Sequence, residues 1–409
     1  MLEIFRVLKD RELRSLWFAD WINDAGSFIT FIALAVYINN LTGSATAVGF
    51  ALALRTIPWF TIGPFAGVLV DRLDRRSVMI GTCLIRAVLV GMLPFTHSAW
   101  QAYVLSFSSS LFGPLFRPAR SALLAQVAQE GKLVPVLAVT ETTHQVLHTV
   151  GPALGGLAVL IVGARHAFFL DAASFIIAAG FVATIRSRGK SQRERSSTMV
   201  DLRGGFHALF TAPAVRTYTL LSAGLNLGFA GVIALLVVYV RDALGRPGGQ
   251  YGLILSMAGL GTVVTSVAIA ARDDRHPRSP WALLSVAGIG SFVLAWFEPS
   301  FFWLFPIAFA AGLADAGVGI PMAATLAEEL TDEFRGRANS VQMGVFALME
   351  GIGSLGFAWL GEPERLGAAH AMGIAAVVGA GLGAVVLLAG GAAAISRHEH
   401  RRLAPVPKA

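Results

Sequence analysis

Apolar residues along this chain come in long runs, and polar residues are gathered between them. A bilayer core about 30 Å thick needs roughly 20 mostly apolar residues per helical crossing. Twelve runs meet that length, over 16–38, 45–70, 77–95, 99–124, 134–162 and 166–185, then 215–240, 249–271, 281–297, 301–328, 337–361 and 368–394. One stretch rich in Arg, Ser and Gly breaks the pattern in the middle. It divides the chain into an N-terminal six-helix bundle over 1–185, a cytoplasmic linker over 186–214, and a C-terminal six-helix bundle with a basic cytoplasmic tail over 215–409. The expected fold is an all-α membrane protein with twelve transmembrane helices in two pseudo-symmetric bundles.

Composition agrees. The 409 residues are 55% hydrophobic and only 14% charged, with a mean hydropathy of +0.66, whereas about a quarter of residues are charged in soluble domains. The net charge of +7 suggests nucleic acid until the cations are located. Of 32 Lys and Arg residues, 26 fall in the tails and the alternate loops on their side; the opposite loops hold Arg165, Arg241, Arg246 and Arg365, and Arg55 and Arg86 lie within runs. By the positive-inside rule that asymmetry places both termini in the cytoplasm, with the chain integral to the cytoplasmic (inner) membrane and no nucleic-acid partner. The N-terminus lacks a small-residue cleavage site and reads as the first anchor. The lone Cys83 excludes an intramolecular disulfide, and no Cys/His metal cluster is visible, so no cofactor and no metal are expected.

Charges inside spans are costly and therefore mark candidate sites. Asp20, Asn23, Asp24 and Ser27 share a face of the first helix, and Glu141, His144, Gln145 and His148 form a stripe on the fifth. Counting 1.5 Å per residue puts Arg86 at the depth of Asp24 and Glu141. Asp24, Arg86, Glu141, His144 and His148 are the candidates for proton coupling. Asp20, Asn23, Phe28, Phe31, Arg55, Trp59, Phe112, Asn226, Asp315 and Glu350 are the candidates for a substrate cavity, with Phe116 a further aromatic. Asp20, Asp171 and Arg120 lie nearer run ends and read as caps or interfacial groups. A metal at His144 and His148 is disfavoured because HQVLH lacks the glutamate of the zinc protease motif.

The halves echo one another: FIALAVYI at 31–38 and VIALLVVYV at 232–240, Asp71 and Asp273–Asp274, Gly151 and Gly156 with Gly351 and Gly356. Such parallel duplication is known in transporters whose halves rock about a midplane site. Two motifs sharpen this. GVLVDRLDRRSVMI at 67–80 resembles the loop two–three signature of the major facilitator superfamily, with Asp74 where the family usually has glycine. GPALGG at 151–156 resembles the helix-five element of its proton-coupled antiporters. FRPARSALL at 116–124 and FFLDAASFIIAA at 168–179 are similar to the enterobactin exporter and macrolide efflux subgroup. The resemblance implies the major facilitator fold, a conformational switch at Gly67, Asp71, Arg72, Arg75 and Arg76, and a helix-five motif at Gly151, Pro152, Gly155 and Gly156. In residue terms, Gly67 allows close helix approach, Asp71 suits the N-terminus of the eleventh helix, and the arginines suit an anionic leaflet. Pro152 bends the fifth helix while small residues let a neighbour pack closely.

Three function classes remain distinct. An ATP-driven pump is disfavoured because GKS at 189–191 has Thr184 where a phosphate loop needs glycine. An intramembrane enzyme would have only ETTHQVLH as its chemistry. The leading expectation is a monomeric secondary transporter, not an enzyme, exchanging protons for an amphipathic small molecule of drug, macrolide or siderophore type by alternating access. Proton-coupled uptake or lysophospholipid transport are the alternatives.

Overall fold

The structure, a computed structural model, describes residues 9–71, 73–128, 133–186, 206–207, 209–271 and 279–403. Among these residues there is no strand. The helices are α1 (Arg11–Thr42), α2 (Ala45–Thr61), α3 (Gly63–Asp71), α4 (Arg75–Met92), α5 (Ala99–Ser110), α6 (Gly113–Val127) and α7 (Leu133–Ala183) in the first half. The second half has α8 (Pro213–Val238), α9 (Gln250–Ala270), α10 (Ser279–Gly290), α11 (Leu304–Glu329), α12 (Asp332–Leu360), α13 (Gly367–Val386) and the tail helix α14 (Ala392–Leu403). Most of the linker expected over 186–214 lies outside the described residues.

Local sequence explains the punctuation. Asp10 caps α1, accepting from the amides of Glu12 and Leu13 at 2.9 and 3.2 Å, and the helix ends where Gly43 turns left-handed at φ 62°. Asp74, the departure from the family pattern, caps α4 by accepting from the Ser77 amide at 2.9 Å. Nine helices among the described residues are long and apolar enough to cross a membrane. The count of twelve rests on reading α2 with α3, interrupted after Pro58, and α5 with α6, interrupted before Pro114, each as one crossing. It also divides α7 at Gly163, whose φ of 80° and ψ of 155° no helix can contain.

The echo between the halves survives as geometry. Tyr37, near the end of α1, donates to the Thr96 carbonyl at 2.7 Å; Tyr239, just past α8, donates to the Pro299 carbonyl at 2.8 Å. Each tyrosine thus ties the end of its half's first helix to the loop that ends the third crossing of that half. Cys83 is 1% exposed within the first half's core.

The halves meet along α7 and α9, and along α2 and α12. At the end opposite the chain's tails, Asn39 donates to Asp242 at 3.1 Å, Arg241 bonds Asn40, and Glu362 accepts from the Ser44 hydroxyl at 2.6 Å and the Thr46 amide at 2.8 Å. Partial burial works against the Glu362 carboxylate, but these bonds outweigh it and hold its pKa below the ordinary glutamate value.

Candidate functional site

α1 builds one wall of the site. Asp20, Asn23, Asp24 and Ser27 stand at i, i+3, i+4 and i+7, so they share one face, and Trp17 pins that face to α7 through a 2.9 Å bond from its indole NH to the Thr143 hydroxyl. Opposite them His144 of α7 lies between two carboxylates. Its Nδ1 is 2.8 Å from Asp24 Oδ2 and its Nε2 is 3.0 Å from Asp20 Oδ2. Arg120 of α6 closes the group, with Nη1 2.5 Å from both Asp20 Oδ2 and His144 Nε2. Asn23 bridges onward, donating to Asp24 Oδ1 at 2.9 Å and accepting from Arg86 of α4 at 3.4 Å, and Arg86 also donates to Ser27 at 3.2 Å. The Arg86 guanidinium lies 4.1 Å over the Phe175 ring.

Chemically this is an imidazole held between two carboxylates at the edge of a cavity. Asp20 and Asp24 stand against Arg120 and, through Asn23, Arg86, so the hydrogen-bonded group is neutral with a neutral imidazole at His144 and carries one positive charge with an imidazolium. The ligand atoms of Asp20, Asp24 and His144 lie within 4.8 Å of one another, near enough to share a metal ion. They do not fit one, because Arg120 already stands against both Asp20 and His144 where an ion's charge would have to go.

The cavity has a volume of ≈ 330 Å³ and is lined by Asn23, Asp24, Phe28, Phe31, Arg55, Trp59, Arg86, His144 and His148 among the expected residues, with Phe116, Arg117 and Asp171. A second cavity of ≈ 450 Å³ shares Phe28, Phe31 and His148 and extends into the other half, past Pro152, Asn226, Leu255, Asp315 and Met322. Phe28 meets His148 edge to face with centroids 5.4 Å apart. Phe112 is not among the residues lining either cavity; it sits half-buried at the break between α5 and α6. Glu350 on α12 also stands outside both linings, within electrostatic reach of Arg55. The environment of the Glu141 side chain lies outside the described residues.

Several expectations are corrected. Asp24, matched in depth to Arg86, bonds His144 instead, with Asn23 standing between Asp24 and Arg86. Asp20, Arg120 and Asp171 are not caps: Asp20 and Asp171 are 6% and 1% exposed, and Asp171 accepts from Ser174 at 3.1 Å. Arg117 and Arg120, counted among loop cations, belong to α6, where a helical turn of spacing aims one at the cavity and the other at the cluster. Arg76 does not reach for a leaflet; its guanidinium caps the sixth span through the Val182 and Ala183 carbonyls at 3.3 and 2.6 Å, and Arg75 is buried. Gly67, Asp71 and Arg72, and with them the expected contact of Asp71 with α12, lie outside the residues whose side-chain surroundings are described.

The helix-five motif keeps helical dihedrals throughout, so its role is close approach rather than unwinding. A Cβ on Gly151 would fall 2.6 Å from Phe28 Cγ, and one on Gly155 2.8 Å from the Phe28 carbonyl oxygen, so both press α7 onto α1. Gly156 meets Gly249 and Gly252 of α9 backbone to backbone, and the Pro152 carbonyl abuts Gly252. Arg117, Arg120 and Asp171 are the site residues that sequence reasoning underrated. A charge set in an apolar run, as in FFLDAASF, was their signal.

The model of the Major Facilitator Superfamily matches residues 16–245 and 219–409. The chain is 23% identical over 274 residues to the MFS-type transporter YfiS of Bacillus subtilis (strain 168), covering 66% of this chain and 64% of YfiS. It is 28% identical over 226 residues to the multidrug resistance protein MdtH of Cronobacter sakazakii, covering 54% of each chain. These matches thus span between half and two thirds of the relatives' length. In fold it is similar to the nucleoside transporter NupG, with a TM-score of 0.74 at 15% identity over 93% of this chain and 98% of that one. It is also similar to a bacterial homologue of the iron transporter ferroportin in its inward-facing state, with a TM-score of 0.72 at 14% identity over 92% and 98%.

Proposed function

The chain belongs to the Major Facilitator Superfamily and is an integral membrane transporter rather than an enzyme, and from that premise we propose that it exports an amphipathic small molecule in exchange for protons. The observation that carries this reading is His144 held between Asp20 and Asp24 with Asp24 and His144 both facing the cavity. A group that changes charge beside the substrate space lets proton binding and substrate binding compete, which is the requirement for exchange. The multidrug naming of the MdtH relatives supports export, and so does the tight seam of Gly156 against Gly249 and Gly252, a small-residue contact able to close one side of the cavity. In this reading both termini are cytoplasmic, the bonds around Glu362 and Asp242 seal the periplasmic side of an inner-membrane carrier, and a monomer alternates access by opening that seam. Protons, substrate and membrane lipid are its partners.

The test is reconstitution in inverted vesicles with an acidic lumen, using a panel of fluorescent amphipathic compounds of either charge. An exporter accumulates substrate inside as protons leave. Accumulation only under the opposite gradient would establish proton-coupled uptake instead, and the loss of all gradient dependence would remove the cluster from coupling.

A further inference from the structure

The ≈ 330 Å³ cavity holds more cation than the proton cluster uses. Three guanidiniums border it, those of Arg55, Arg86 and Arg117, against two carboxylates, Asp24 and Asp171. Asp24 is engaged by His144 and Asn23, and Arg86 by Asn23 and Ser27. Arg55 Nη1 is buried without a hydrogen-bond acceptor, as is Arg86 Nε; the close contact of Arg55 is the face of Phe31 at 5.5 Å, and Arg86 repels it while Asp171 and Glu350 attract it only across space. Arg117 likewise rests over an aromatic ring, Trp59, at 5.8 Å, with its head exposed to the cavity. A buried guanidinium N–H left without an acceptor is costly, and the geometry that relieves it best is a planar oxyanion taking two N–H bonds. Beyond Phe28 and Phe31 the larger ≈ 450 Å³ cavity is lined chiefly by aliphatic and aromatic side chains, with Asp315 its one carboxylate.

Resting on the reading that these cavities are the transport site, we infer that the substrate is an amphipathic organic anion. Its carboxylate or similar oxyanion is held by Arg55 and Arg117, and its apolar body lies across Phe28 and Phe31 into the cavity of the C-terminal half. A cationic amphiphile of the same shape meets like charge at that end and leaves the Arg55 N–H unsatisfied.

The experiment uses the purified full-length protein in nanodiscs and two probes with the same fluorophore, the anion dansylglycine and the cation dansylcadaverine, followed by energy transfer from tryptophan. Dansylglycine is expected to bind saturably and about tenfold more tightly than dansylcadaverine, as a lost charge-assisted pair predicts. Arg55→Gln and Arg117→Gln should each weaken dansylglycine by about tenfold without weakening dansylcadaverine, and Arg55→Lys, which keeps the charge but not the two-pronged donor, should recover only part of the loss. Thermal unfolding checks that each variant is folded; should Arg55→Gln fail that check, Arg117→Gln and Arg55→Lys carry the comparison. Displacement of dansylglycine by submicellar lysophosphatidylglycerol but not lysophosphatidylcholine assigns a lipid-like anion. No displacement by either assigns a water-soluble one, and both results keep the proposal. Preference for dansylcadaverine, or no effect in folded arginine variants, overturns the anion while leaving proton-driven efflux of another compound intact. Saturable dansylglycine binding without any proton-driven flux overturns the exporter reading and keeps the anion. Binding of neither probe to folded protein overturns the cavity as the substrate site and the anion with it.

Discussion

The two halves share a helical plan but differ in what they bury. The N-terminal half gathers Asp20, Asp24, Arg86, Arg120 and His144 into one hydrogen-bonded group, whereas the C-terminal half presents Asp315 to its cavity among aliphatic and aromatic side chains. Asn226, at the place the repeat matches to Asp24, donates to the Ser222 carbonyl of its own helix at 2.9 Å and carries no charge. The difference teaches that a duplicated scaffold can gather a hydrogen-bonded group of charges in one copy and leave the matching place in the other uncharged. Each element of that contrast can be tested by substitution.

The largest effect is expected at the cluster itself. Asp24→Asn or His144→Gln should abolish proton-driven flux while folded protein remains in the membrane, and Asn226→Asp should not restore it, because Asp20, Arg120 and His144 all belong to the other half. Flux assays in proteoliposomes under an imposed pH gradient decide this; undiminished flux in Asp24→Asn removes that carboxylate from coupling. Next comes Arg120→Met, which leaves two carboxylates against one histidine and should cost about 3–5 kcal/mol of stability, the penalty for breaking a buried ion pair. A calorimetric or denaturant comparison with wild type reads it.

The close-packed glycines of α7 separate the halves more finely. Gly155→Leu would drive a side chain into the Phe28 backbone and should convert exchange into leak or inactivity, with Gly155→Ala milder. The echo in α12 should behave oppositely: a Cβ on Gly356 meets open space, so Gly356→Ala should stabilise that helix by about 0.5–1 kcal/mol. Equal responses at 155 and 356 would show that the need for a small residue is not specific to α7. An effect of similar size is expected at Glu362. Its folded pKa lies below the ordinary value of 4.5, so its bonds to Ser44 and Thr46 stabilise the closed end above that value and are lost as pH falls below it. Glu362→Gln should flatten that acid dependence and cost about 1 kcal/mol at neutral pH, measured by thermal melts from pH 3 to about 7.

How much of this was legible in the chain depends on the length scale. Hydrophobic runs located the crossings, and the spacing of Asp20 to Ser27 and of His144 to His148 placed each set on one helical face. The partnership of Asp24 with His144 was not legible, since counting depth along two helices does not say which helices are neighbours. Asp20 was misjudged as terminal because the apolar run begins at 16 while α1 begins at Arg11, capped by Asp10, which puts Asp20 well inside the helix. Arg120 lay near the end of its run, but Arg is long enough to reach inward from there. Pro152 suggested a bend, yet the dihedral break falls at Gly163, in the gap between the runs 134–162 and 166–185, where a positive φ suits glycine.

Cys83 remains. The chain's only thiol is 1% exposed in the first half's core, closed to a water-soluble maleimide. The native protein is therefore its own silent background for labelling. A cysteine introduced at Asn226 or Trp59 will report which side of the membrane its cavity opens to, reagent by reagent, without a native residue first having to be removed.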